Sequence, residues 1–154
     1  MVALDRSSTS GSLLEVVDLR HKRRESVLAQ LVAAAERTGV VREPDVLLAA
    51  LVRGQRLGSN SSVRGFAVPH ARSVSVLRPA VLFGRSERGV EWDVRDAEPV
   101  QLVMLVLSPA NSTPTAHAER VAATVRALRL QRTRQKLLEA EGDAVRALLA
   151  ESPE

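Results

Sequence analysis

The chain has 154 residues, no cysteine, no tyrosine, three histidines and a formal net charge of +4. That length suits one domain of ordinary size, and the missing cysteine excludes disulfides, thiolate metal sites and cysteine nucleophiles. The apolar runs Val46 to Val52 and Leu102 to Leu107 fall far short of the roughly 20 residues that span a bilayer, and no basic-then-apolar leader is visible, so a cytoplasmic protein is expected.

Residues 1–12 are rich in Ser, Thr and Gly without periodicity and are expected to form a flexible arm, which leaves residues 13–154 as the domain. Leu13 to Val17 reads as a short strand. From about Lys22 to Arg37, Val27, Leu28, Leu31, Val32 and Ala35 recur at helical spacing, and Gly39 follows as a stop. Pro44 suits the first turn of a second helix running through Val52, with Val46, Leu47, Ala50 and Leu51 inward and Gly54 as its end.

The polar run Gly58-Ser59-Asn60-Ser61-Ser62 reads as a loop that delivers the chain into Phe66-Ala67-Val68, an extended segment that Pro69 terminates. His70 then falls just past a strand end. Further strands are expected from about Ala80 to Arg85 and across Val100 to Leu107, the latter apolar on both faces and therefore central, while Val90 to Val94 alternates and suits an edge. After Pro114 a helix from about Ala116 to Leu130 puts Val121, Val125 and Leu128 on one face and His117 on its first turn, where backbone N–H groups favour an anion. Helices at about Arg132 to Ala140 and Asp143 to Ala150 close the chain. Strands interspersed with helices give an α/β fold, a mixed β-sheet flanked by helices in a single compact domain.

A sequence pI near 10.8 raises the question of nucleic acid, but the arginines are scattered among acids and aromatic stacking residues are nearly absent, so no nucleic-acid partner is expected. The informative residues are His70, in Gly65-Phe66-Ala67-Val68-Pro69-His70-Ala71-Arg72, and His117. Few other groups here can act as nucleophile or proton carrier near neutral pH. His21 lies in a charged run and reads as solvated. If His70 and His117 meet, they suit phosphoryl chemistry, with His70 as acceptor, His117 assisting, and Arg72 and Ser59 available to the phosphoryl oxygens. The structural alternative is that both are ordinary histidines bonded to backbone, because spacing alone does not bring residues 70 and 117 together. Two histidines without a third ligand make no metal motif. Taken singly, Arg72, Arg53 and Arg56 each read as surface charges before they read as phosphate clamps.

At these residues the chain resembles the fructose/mannitol-type (type 2) enzyme IIA domain of the phosphoenolpyruvate-dependent sugar phosphotransferase system, a family that includes the nitrogen-regulatory IIA proteins. The resemblance covers about Leu13 to Leu149. It rests on Leu57-Gly58-Ser59, the motif around His70, Arg78-Pro79-Ala80-Val81, Pro99-Val100 with the apolar strand that follows, Ser108-Pro109 and the placement of His117. It implies that His70 takes a phosphoryl group from the phosphohistidine of the carrier protein HPr, that His117 assists, that no cofactor is needed, and that the group passes to a IIB domain or serves as a regulatory signal. Departures fall on Gly54 and Gln55, where the family usually has an Arg-Glu pair, on Asn60 in place of threonine, on Val63 in place of glycine, and on Gln101 in place of aspartate. These departures favour a second function, a IIA-like regulatory protein-binding module with little or no phosphoryl transfer; the two histidines favour the first. Without a cysteine or a membrane segment, the chain is expected to carry the relay and not transport itself.

Overall fold

The apolar run that opens at Val100 becomes the middle of a sheet. The structure is a computed structural model that describes residues 13–56, 62–63, 65–93 and 98–150. Its elements are β1 (Leu13–Asp18), α1 (Arg24–Arg37), α2 (Pro44–Arg56), β2 (Ser62–Val63), β3 (Phe66–Ala67), β4 (His70–Ser73), β5 (Ala80–Val90), β6 (Val100–Pro109), α3 (Pro114–Arg129), α4 (Gln131–Leu137) and α5 (Gly142–Ala150). The strands form one six-stranded sheet in the order β1-β5-β6-β3-β2, with β4 also paired to β6. β5 runs antiparallel to β6, whereas β3 and β4 run parallel to it. The sheet is therefore mixed, as the sequence pattern implies.

Side chains of successive strand residues point to opposite faces, and β6 uses both. Val103, Leu105 and Leu107 pack with Leu28 and Leu31 of α1 and Leu47 and Leu51 of α2. Leu102, Met104 and Val106 pack on the other side with Leu128 of α3, Leu137 of α4 and Val145 and Leu149 of α5. Helices thus cover both faces, which is why β6 carries no polar residue from Leu102 to Leu107.

Several boundaries differ from the sequence-based expectations. Gly54 does not end α2, which continues to Arg56; one glycine inside a helix costs only about 1 kcal/mol and is readily overridden by packing. Val46, expected inward, is 48% exposed. β5 runs unbroken to Val90, so the expected separate edge strand is absent: Glu91 makes only an isolated bridge to Arg23 and Trp92 is buried. Ser62, expected in a loop, lies in β2. His70 follows the end of β3, as expected, and also opens β4, because Pro69 interrupts the N–H ladder without breaking alignment: its carbonyl still accepts the Val106 N–H at 3.0 Å. Gly39 ends α1 as expected, at φ 83°. The expected N-terminal arm and the loop from Gly58 to Ser61 lie outside the described residues.

Leu107 is fully buried beside Ser108. Leu107→Ala is expected to lower the unfolding free energy by about 2–5 kcal/mol in equilibrium urea denaturation; a loss below about 1 kcal/mol would show that this end of β6 is not packed as described.

Candidate functional site

Strand register builds the site. In the parallel pair of β4 and β6, His70 stands opposite Val106 and Arg72 opposite Ser108. Residues opposite one another point to the same face, so His70, Arg72 and Ser108 share the α3 side with Val106, while Ala71 packs with the core under α1 and α2. α3 arrives on that side with its start fixed. Thr113 caps it, its hydroxyl accepting the Ala116 N–H at 3.0 Å, and Pro114 occupies the first turn. His117 therefore sits one turn inside α3.

The two histidines meet. Nδ1 of His70 lies 3.2 Å from Nε2 of His117, with the ring centroids 5.3 Å apart and tilted by 50°. The other nitrogen of His117, Nδ1, lies 2.7 Å from Ser108 Oγ. Ser108 is fully buried and its Oγ also accepts a hydrogen bond from Arg120 Nη2 at 2.7 Å. The result is a continuous chain of contacts, Arg120 to Ser108 to His117 to His70, that runs from the buried face of α3 to the start of β4.

Electrostatics follow from that chain. Burial, followed by the positive charges of His70, Arg120 and Arg72, lowers the pKa of His117 from 6.5 to about 4. Near neutral pH His117 is thus an uncharged imidazole, with one nitrogen donating and one accepting. Two proton arrangements satisfy the contacts. In the one that serves a nucleophile, His70 Nδ1–H donates to His117 Nε2, His117 Nδ1–H donates to Ser108 Oγ, and the lone pair of His70 resides on Nε2.

Arg72 lies beside this pair with its Nη1 donating to the carbonyls of Ala110 and Ser112, at 3.0 and 3.1 Å. One terminal nitrogen is thus committed to the turn before α3, and the side chain holds that turn against β4. Ser59 lies outside the described residues. Arg53 is exposed on α2, and His21 is exposed as expected. Ser108 entered the sequence reading only within the Ser108-Pro109 match, with no site role, and Ser112 and Arg120 escaped it. The two-residue step from Val106 to Ser108 and the three-residue step from His117 to Arg120 carry the signal, but neither is readable until β6 and α3 are known to face each other. An open groove of about 780 Å³, lined by Asp18, His21, Arg85, Arg88 and Glu139 among others, shares no residue with the histidine pair. Among the described residues no group of three or more His, Cys, Asp or Glu could hold a metal ion, and no helix is long and apolar enough to cross a membrane.

Comparison with known proteins places this arrangement. The family model described as "Phosphoenolpyruvate-dependent sugar phosphotransferase system, EIIA 2" matches residues 12–152. The "PTS system fructose-specific EIIA component" of Haloferax volcanii is 32% identical over 141 residues, covering 90% of this chain and 91% of that one. The "PTS system fructose-specific EIIABC component" of Bacillus subtilis is 28% identical over 127 residues, which cover 82% of this chain but only 20% of that protein's length. Among solved structures, the nitrogen regulatory protein IIA-Ntr of Neisseria meningitidis superposes with a TM-score of 0.80 at 23% identity, covering 91% of this chain and 97% of that one. Mannitol enzyme IIA of Escherichia coli, solved in complex with phosphorylated mannitol enzyme IIB, gives a TM-score of 0.72 at 20% identity over 88% of this chain and 93% of that one. At these identities the two structures show the shared fold.

The low pKa of His117 sets a pH dependence. An unfolded histidine protonates near 6.5 and the folded one near 4, so between those values the unfolded chain binds more protons. This residue's contribution to stability is whole above pH 6.5 and is lost as the pH falls toward 4. The midpoint of thermal unfolding is therefore expected to fall more steeply in the parent protein than in His117→Gln between about pH 7 and about pH 4.5. Identical slopes would contradict the buried, uncharged state assigned to His117.

Proposed function

Since the chain belongs to the phosphoenolpyruvate-dependent sugar phosphotransferase system EIIA 2 family, whose members are phosphocarriers, we propose that its own phosphoryl acceptor is His70. The donor is the phosphohistidine of an HPr-type carrier protein, and the recipient is a IIB domain or a regulatory target. The single observation that carries this reading is the 3.2 Å contact between His70 Nδ1 and His117 Nε2. It engages Nδ1 of His70, which supports placing the chemistry on Nε2. A fold neighbour solved with phosphorylated enzyme IIB supports the choice of recipient. The phosphocarrier unit spans residues 13–154 and works in the cytoplasm.

The transfer balances without a cofactor. The carrier's ring, protonated on its second nitrogen, leaves as neutral imidazole and keeps the electron pair of the breaking P–N bond. The lone pair on Nε2 of His70 forms the new N–P bond, and His70 becomes the phosphoimidazolium. Its Nδ1–H stays in the hydrogen bond to His117. Because His117 takes up protons only near pH 4, that proton remains on His70, where it keeps the ring a good leaving group for onward transfer. Little covalent chemistry falls to the protein beyond positioning and charge stabilisation. Arg72, beside the pair on β4, and Ser59 supply the contacts to the phosphoryl oxygens.

A second reading, a regulatory module that binds partners with little or no transfer, is favoured by Gly54 and Gln55, which stand where the family usually carries an Arg-Glu pair. One assay separates the two. With enzyme I, HPr and phosphoenolpyruvate, intact-mass analysis at alkaline pH is expected to show one added phosphoryl group that is acid-labile and absent from His70→Ala. His117→Ala is expected to retain some phosphorylation and lose onward transfer, and Arg72→Ala to slow transfer by roughly tenfold while remaining folded. Equal labelling of His70→Ala and the parent would overturn the acceptor assignment. No mass gain in the folded parent would select the binding module.

A further inference from the structure

Arg120 is the only charged side chain buried among the described residues, at 7% exposure. A buried cation is costly unless it is paired and hydrogen-bonded, and among the described residues no carboxylate pairs with it. Its compensation is two hydroxyls: Nη2 donates to Ser108 Oγ at 2.7 Å and to Ser112 Oγ at 3.3 Å, while its Nε is buried without a hydrogen-bond partner. Its own carbonyl accepts from Thr124 Oγ1, a fully buried hydroxyl one turn on, at 2.9 Å. Such an arrangement contributes little to stability, and its neighbours explain its presence.

Resting on the phosphocarrier reading above, we propose that Arg120 is a positioning residue of the histidine pair, which holds Ser108 Oγ so that Ser108 fixes His117 Nδ1 and aims His117 Nε2 at Nδ1 of His70. A free serine hydroxyl rotates, and its oxygen has two acceptor sites. With one of them taken by Arg120, the group left toward His117 Nδ1 has a defined direction. The spacing permits it: residues 117 and 120 lie one turn apart on one side of α3, so both reach the same oxygen on β6. The second hydroxyl strengthens the hold. Ser112 gives its Oγ to Arg120 and its carbonyl to Arg72, so two arginines from two elements clamp the turn that leads into α3. Both charges also face His117. From β4 the charged or titratable groups that act on it are His70 and Arg72, and from α3 it is Arg120, all disfavouring the imidazolium. Since no carboxylate offsets Arg120 among the described residues, its field is available to a phosphoryl dianion arriving on His70.

The test reads the rings before any transfer. Long-range 1H–15N spectra of the unphosphorylated protein are recorded across a pH titration for the parent, Arg120→Gln, Arg120→Lys and Ser108→Ala. In the parent, His117 is expected to show one dominant tautomer and no protonation down to about pH 5. In Arg120→Gln and Ser108→Ala its nitrogen signals are expected to move to the averaged positions of a freely exchanging imidazole, and in Arg120→Gln its titration is expected to rise toward 6.5. Phosphorylation by HPr is expected to slow roughly 10- to 100-fold in both, with substantial rescue by Arg120→Lys, which keeps a cation and a donor. His117 signals and titration unchanged in folded Arg120→Gln and Ser108→Ala would overturn the proposal. If Arg120→Gln does not fold, Ser108→Ala decides: a changed His117 tautomer supports the relay, and an unchanged one overturns it. A parent protein that takes no phosphoryl group, with these ring changes still seen in the variants, would overturn the phosphocarrier reading and leave the positioning role standing.

Discussion

The parallel register between β4 and β6 is the constraint from which the site follows. It sets His70 opposite Val106 and Arg72 opposite Ser108, and the two-residue period of a strand then puts all of their side chains on the face that α3 covers. A slip of one residue would turn His70 into the core beneath α1 and α2 and send Ala71 to the site. Pro69 guards against that slip in an economical way. It lacks the N–H that would let β3 run straight into β4, while its carbonyl keeps the Val106 bond that holds the frame.

On this frame two cations gather at the histidine pair. Arg72 approaches from the strand and Arg120 from the helix, and among the described residues neither is offset by a carboxylate. The same charges, with burial, keep His117 neutral. A neutral histidine can orient His70 through a directed hydrogen bond without repelling it, whereas two imidazolium rings at 3.2 Å would repel strongly. A buried arginine on α3 brings a cation into the hydrogen-bond chain. The N-terminal turn of α3 adds its own backbone polarity near the same place.

Much of this was legible in the sequence, for physical reasons. The unbroken apolar run of β6 announces a strand covered on both faces, and the turn signals Pro44, Gly39 and Pro114 mark helix ends that the structure confirms within a few residues. His70 and His117 stood out because the chain has three histidines, but only the family resemblance made them a pair, since spacing alone does not bring them together. What stayed hidden depends on tertiary contact. Val90 to Val94 alternates like an edge strand, yet Trp92 is drawn into the core and Val90 belongs to β5. Arg120 looks like any of the many scattered arginines, and only the approach of α3 to Ser108 shows that it is buried and engaged. Arg72 was legible as a neighbour of His70, but its bonds to the carbonyls of Ala110 and Ser112 were not.

The measurement that bears most directly on the account is the identity of the phosphorylated atom, read from 15N and 31P spectra of the phosphorylated protein labelled at histidine. The account predicts a phosphoryl group on Nε2 of His70, with His70 Nδ1 still hydrogen-bonded to Nε2 of His117. A phosphoryl group on His117, or on Nδ1 of His70, would contradict it, because the contact at 3.2 Å would then be broken by the very reaction it is held to prepare.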